Sequence, residues 1–100
     1  MAQENSNIKE RNKSDIKKPG KYAVIFHNDD FTPMEFVVIV LISIFFKNVE
    51  DAEKLMMKVH LEGQAIVGTY YYDIALTKAN RTIQFARDNG YPLRVSLRPI

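Results

Sequence analysis

The sequence predicts an α/β (α+β) fold of three strands and three helices, the helices packed on one small sheet, in the order β-α-α-β-α-β. Three observations carry this. Short β-prone segments, YAVIFH (22–27) and LRVSLR (93–98), bracket the apolar part of the chain. Between them, longer stretches carry helix start and stop signals. One hundred residues, 46% hydrophobic and 26% charged, suffice for one core and not for two.

The elements follow in order. Residues 1–20 are polar, contain few large apolar side chains and end in KKPG. They bury too little to offset chain entropy and predict a disordered N-terminal extension ahead of a domain over 21–100. Tyr22 to His27 alternates imperfectly, as a central strand does. The following segment, FVVIVLISIFF (36–46), is rich in Val and Ile, which favours strand. Its start favours helix. Thr32 is placed to cap, Pro33 suits a first helical position, and Glu35 completes a capping box, with Phe31 and Phe36 at staple positions. Four matched signals outweigh weak propensity and predict a helix over about 33–46.

Asn48 opens a second cap, NVED, and a helix over about 49–61 that Gly63 ends. Ala65 to Tyr70 reads as a strand. A third helix runs from about Tyr72 to Asp88 with Ala75, Ala79, Ile83 and Ala86 in one stripe, stopped by Asn89-Gly90 and Pro92. LRVSLR then alternates strictly, with Leu93, Val95 and Leu97 on one face.

Bulk properties narrow the function. Without cysteine there is no disulfide framework and no thiolate site, a composition compatible with a reducing cytoplasm. The N-terminus lacks the apolar stretch of a secretory signal, and the greasiest run, at eleven residues, is short of the ~20 that span a bilayer. Six of the 14 basic residues fall within residues 1–21, beside three acids, so residues 22–100 carry a net charge of −1. A folded part so close to neutrality lacks the basic face that nucleic acid requires.

The most informative stretch is HNDDFTPMEF (27–36). Asn28, Asp29 and Asp30 follow a strand and precede a helix, where such residues also serve as solvated turn formers. Two carboxylates and an amide oxygen would also suit Mg²⁺. An organic ammonium is the remaining candidate, needing a few acceptors and a wall for its carbon. His60 shares a helical face with Met56, one turn earlier, and Val59 is adjacent. A histidine near a helix C-terminus commonly only satisfies the dipole. Met56-Met57 serve by default as core filler, yet methionine at a pocket rim adapts to side chains of different shape, and Met34 is placed to do the same. No Gly-x-Ser-x-Gly elbow or Gly-rich phosphate loop is present. His27 reads as a strand-end residue, and Tyr70, Tyr71 and Tyr72 as a strand end and helix start.

Read together, HNDDFTPMEFV, LMMKVHLEGQAIVG and ARDNGYPLRVSL resemble ClpS, the adaptor family of bacterial Clp proteases, from about Lys21 to Arg98. The resemblance implies a small α/β sandwich, a three-stranded antiparallel sheet packed on three helices, in agreement with the order above. It further implies a cytoplasmic, monomeric, non-enzymatic adaptor without cofactor or metal. Such an adaptor binds proteins whose first residue is Leu, Phe, Tyr or Trp and delivers them to a ClpA- or ClpC-type AAA+ unfoldase. Carried over by position, Asn28, Asp29 and His60 would hold the α-ammonium. Asp30, Thr32, Met34, Val37, Met56, Val59 and Leu93 would line or border the apolar pocket, with Met34 as a gate against β-branched residues. Asp73 and Lys78 match positions contacting the unfoldase's N-terminal domain. Tyr71 departs from the small capping residue common at that helix start, and Phe31 replaces the commoner Tyr. Two readings of other classes stand beside this one: a metal-dependent hydrolase using Asp29, Asp30 and His60, and a plain interaction module resembling a ribosome-stalk domain.

Overall fold

The computed structural model describes residues 20–100, so the expected extension falls, but for Gly20, outside the described residues. The elements are β1 (Lys21–His27), α1 (Met34–Ser43), α2 (Val49–Glu62), β2 (Gln64–Tyr71), α3 (Tyr72–Asp88) and β3 (Arg94–Pro99), in the order expected from the sequence. The sheet order is β2-β1-β3, antiparallel throughout. Tyr22, Val24 and Phe26 of the central strand join the core, and Ala23 and Ile25 are buried as well. Burial of both sets explains why β1 shows no polar alternation.

Register fixes where a site can form. His27, the last residue of β1, lies opposite Gln64 at the start of β2 and Arg94 at the start of β3. The exit of β1 and the entries to both neighbours therefore meet at one end of the sheet. At the opposite end Lys21 faces Tyr71, and the N–H of Ile100 donates to the Lys21 carbonyl at 3.0 Å. A bulge interrupts the β1–β2 ladder, where Val24 faces Gly68 and Ile25 faces Ile66, leaving Val67 as the additional residue.

Helix α1 is apolar around most of its circumference, burying Phe36, Val37, Val40 and Leu41. Packing thus overrides the strand preference of its Val and Ile residues. Its start differs from expectation. Thr32 gives both its N–H and its hydroxyl to the Asp29 carboxylate, so no capping box forms. The Pro33 carbonyl instead accepts the N–H groups of Phe36 and Val37. Phe31 is 77% exposed and staples nothing, while Phe36 packs against the rings of Tyr91 and Phe85 at 4.8 and 5.0 Å. The helix also stops earlier, at Ser43, with Ile44 as its C-cap. Phe46 then takes a positive φ of 56° and the Lys47 N–H returns to the Leu41 carbonyl at 3.0 Å.

The second helix matches its signals. Asn48 accepts the Asp51 N–H at 2.8 Å, and Gly63, at φ 89°, closes the helix through its N–H to the Val59 carbonyl. In α3, Ala75, Ala79 and Ala86 are buried as expected, but Thr82 and not Ile83 completes the stripe. The Thr82 hydroxyl donates to the Lys78 carbonyl within the same helix, so its burial strands no polar group. Among the described residues no helix is long and apolar enough to cross a membrane.

Candidate functional site

The chain leaves β1 at His27 and turns through Asn28 and Asp29. The Asn28 N–H donates to the Gly63 carbonyl at 2.9 Å, tying the acidic loop to the C-cap of α2 three residues beyond His60. His60 occupies the last turn of α2 with an exposed side chain. Leu93 immediately precedes Arg94, which pairs with His27. Loop 28–32, the end of α2, the start of α1 and the entry to β3 are thereby gathered at one end of the sheet.

Asp29 is the most constrained of these residues. Its Oδ1 accepts the N–H groups of Phe31 at 2.8 Å and Thr32 at 2.7 Å, and Oδ2 accepts the Thr32 hydroxyl at 2.8 Å. Burial alone would push this carboxyl up. The N–H groups of Thr32 and Phe31, the Thr32 hydroxyl and the Arg87 charge together outweigh burial and hold it below its ordinary value. A carboxylate offers about four acceptor positions. Three are used within the loop, so the ionised group is fixed in place with capacity left on Oδ2.

The expected pocket residues divide by burial. Val37, Val59 and Leu93 are 6%, 3% and 1% exposed and belong to the core cluster. Met56 is half-buried against that cluster, Met34 is 42% exposed, and Met57 is exposed where core filler was expected. Met34 and Met56 together line a groove of about 660 Å³ between α1 and α2, with Pro33, Glu35, Val38, Ile39 and Glu53. Asn28, Asp29 and His60 are not part of that groove's lining. Thr32 is half-buried and Asp30 exposed. Among the described residues no three His, Asp or Glu side chains are grouped to hold a metal ion. The metal reading of Asp29, Asp30 and His60 therefore has no geometry behind it.

A family profile described as ATP-dependent Clp protease adaptor protein ClpS matches residues 17–96. The chain belongs to the ClpS family. It is 54% identical to the Treponema denticola ClpS over 83 residues, covering 83% of this chain and 82% of that protein. To the Clostridium acetobutylicum ClpS it is 48% identical over 91 residues, covering 91% and 88%. The Agrobacterium tumefaciens ClpS2 structure, solved bound to L-phenylalaninamide, superposes with a TM-score of 0.80 at 36% identity, covering 83% of this chain and all of that one. The ClpS sandwich anticipated from the sequence is the one observed.

Other residues of this ClpS chain take positions that sequence reasoning missed. Arg87 donates from Nη1 to the carbonyls of Tyr91 at 2.9 Å and Leu93 at 3.0 Å, and its charge reaches Asp29. It fastens the segment carrying Leu93 to α3. A basic residue in a last helical turn, just before Asn89-Gly90, was the available signal. His27 shares a 2.7 Å hydrogen bond with Ser96, and burial together with Arg94 lowers its pKa. The two residues matched to the unfoldase surface behave differently. Asp73 lies exposed in the first turn of α3. Lys78 donates to the Ile44 carbonyl at 2.7 Å and sits 4.7, 5.3 and 5.7 Å from the ring centres of Phe46, Tyr70 and Phe45.

Proposed function

We propose that this protein is a non-enzymatic adaptor that binds proteins by a large hydrophobic first residue, Leu, Phe, Tyr or Trp, and hands them to a ClpA- or ClpC-type AAA+ unfoldase. The observation that carries this reading is the match, over 83% of this chain, to a ClpS2 solved with L-phenylalaninamide. That molecule presents a free α-ammonium and a benzyl group on one carbon, as an N-terminal phenylalanine does.

In this reading Asp29, fixed as a carboxylate by its own loop, meets the α-ammonium together with the Asn28 amide oxygen and an imidazole nitrogen of His60. An α-amino group of pKa about 7.7–8.0 is mostly protonated at pH 7. Val37, Val59 and Leu93 form the floor of the side-chain pocket, bordered by Asp30 and Thr32. Since these three are nearly closed to solvent, a bulky side chain reaches them past Met34 and Met56, whose flexible thioethers adapt to it. Met34 excludes residues branched at Cβ.

Magnitudes explain the double requirement. Burying a Leu or Phe side chain gains roughly 1.5–3 kcal/mol. A hydrogen bond to a charged group contributes roughly 1.5–3 kcal/mol, without strict additivity. Micromolar affinity needs about 8 kcal/mol, which neither half supplies alone. Selectivity for a free terminus with a large apolar side chain follows.

Asp73 and Lys78 serve as contacts to the N-terminal domain of the unfoldase. The adaptor works as a monomer in the cytoplasm, where the absence of cysteine suits a reducing compartment. Fluorescence anisotropy with a peptide panel tests the recognition step. A peptide beginning with Leu or Phe binds, its N-acetylated twin does not, and affinity for the free peptide falls about ten-fold per pH unit above about 8 as the amine loses its proton. Equal binding of the acetylated and free peptides would overturn the ammonium site. Failure of every peptide on a folded protein would leave a plain interaction module.

A further inference from the structure

The residue least explained by the fold is Phe46. It lies just past α1 at φ 56°, in the left-handed region that a residue bearing Cβ rarely adopts. Burial does not offset this, because the side chain is 76% exposed. The turn around it is nonetheless firmly held. The Ile44 N–H returns to the Val40 carbonyl, the Lys47 N–H returns to the Leu41 carbonyl, and the Ile44 carbonyl accepts the Lys78 ammonium. Lys78 Nζ then stands 4.7 Å from the Phe46 ring centre, with the faces of Tyr70 and Phe45 on its other sides. A strained, solvent-facing aromatic is thus preorganised beside a cation.

The surface around it carries apolar and basic side chains, with Asp88 at its far end. On α3, Ile74 precedes Lys78 by one turn and is exposed, and Arg81 follows it by three residues. Beyond Arg81 an open groove of about 420 Å³ runs along Ser43, Ile44, Gln84 and Phe85 to Asp88. Among the described residues the only ion pair joins Lys54 to Glu50 on α2, so neither Lys78 nor Arg81 is held in a direct ion pair. Burial, with the nearby Arg81 charge adding to it, lowers the Lys78 pKa. Such a face is complementary to carboxylates set beside an apolar wall.

We infer that Phe46 is a docking residue for the unfoldase, its ring and the Lys78 and Arg81 cations together receiving an acidic, apolar-flanked patch on that partner. The inference rests on the adaptor reading above and adds to it a residue and a partner chemistry.

The test is Phe46→Gly, which relieves the left-handed strain while deleting the ring. Binding is measured to the full Clp unfoldase hexamer, ClpA or ClpC type, of the same organism. Affinity for the hexamer is expected to fall at least about ten-fold, the effect of losing an interface anchor worth about 1.4 kcal/mol. The thermal midpoint stays level or rises, and affinity for a Leu-initial peptide is unchanged. A merely structural Phe46 would give the converse, with no loss of partner binding. Lys78→Met separates the possible failures. If it weakens hexamer binding while Phe46→Gly does not, Phe46 is excluded and the adaptor reading stands. If neither variant matters, this face is not the unfoldase surface at all. Self-association of the native chain, abolished by Phe46→Gly with hexamer binding intact, would assign the face to a second copy and overturn the inference.

Discussion

Thr32 is held twice by Asp29, its N–H donating to Oδ1 at 2.7 Å and its hydroxyl to Oδ2 at 2.8 Å. The acidic loop therefore shapes itself before any ligand arrives. Two variants separate shaping from binding. Thr32→Val removes one donor and is expected to cost about 1 kcal/mol of stability, with peptide affinity kept within a few-fold. Asp29→Ala is expected to weaken binding more than ten-fold, beyond what its effect on folding accounts for. Equal losses of affinity in the two variants would reduce Asp29 to a loop former.

Acid stability carries two signatures of the same sign. The Asp29 carboxyl is held below its ordinary 3.8, so its contribution is complete above that value. It is lost as pH falls through the lower, folded value, because the unfolded chain takes up the proton first. His27 is also shifted down from 6.5, so its contribution is complete above pH 6.5 and declines as pH falls through its folded value. Urea titrations from pH 7.5 to 3 should show two successive losses. His27→Gln should remove the upper one and Asp29→Asn the lower. A wild-type profile flat between pH 7.5 and 5 would refute the first assignment.

Met34 stands 42% exposed at the start of α1, beside the groove it shares with Met56. If it screens incoming side chains by bulk at Cβ, Met34→Ala should raise affinity for Ile- and Val-initial peptides toward that for Leu. A preference unchanged across the peptide panel would show that selection happens elsewhere.

Gly63 links fold and site through its backbone alone. A Cβ there would meet nothing within 4 Å, so any cost of Gly63→Ala comes from φ 89° and not from crowding. That cost is about 1–2 kcal/mol. Because the Gly63 carbonyl accepts the Asn28 N–H, the same variant should also lower peptide affinity. Destabilisation with affinity fully preserved would mean that the 28–63 tie does not position the loop.

The fold was legible wherever a local residue decides a local geometry. Asn48 caps, Gly63 turns and Asn89-Gly90 ends α3, each answering to its own backbone. Legibility failed where two local solutions competed. Thr32 could cap α1 or complete the Asp29 turn, and the stronger, charged acceptor took it. In α3 the expected Ile83 yields its place in the buried stripe to Thr82, whose hydroxyl is satisfied by the Lys78 carbonyl. Of the residues proposed for the site, Asn28, Asp29, Val37, Val59 and Leu93 were named in advance through the family resemblance, and the last three are buried as an apolar lining requires. The Arg87 strap and the aromatic surround of Lys78 were not legible. Both join residues far apart in the chain, and nothing in periodicity marks such pairs.

Because the Ile100 N–H meets the Lys21 carbonyl, residues 20 and 100 lie side by side at the pole opposite the acidic loop. A seven-residue strand, about 23 Å long, separates them from it. A short linker joining the two would let the chain be circularly permuted, with the new ends placed in an exposed connection between elements, without disturbing the acidic loop. A dye or tether attached at residue 20 or 100 would likewise stand clear of the acidic loop.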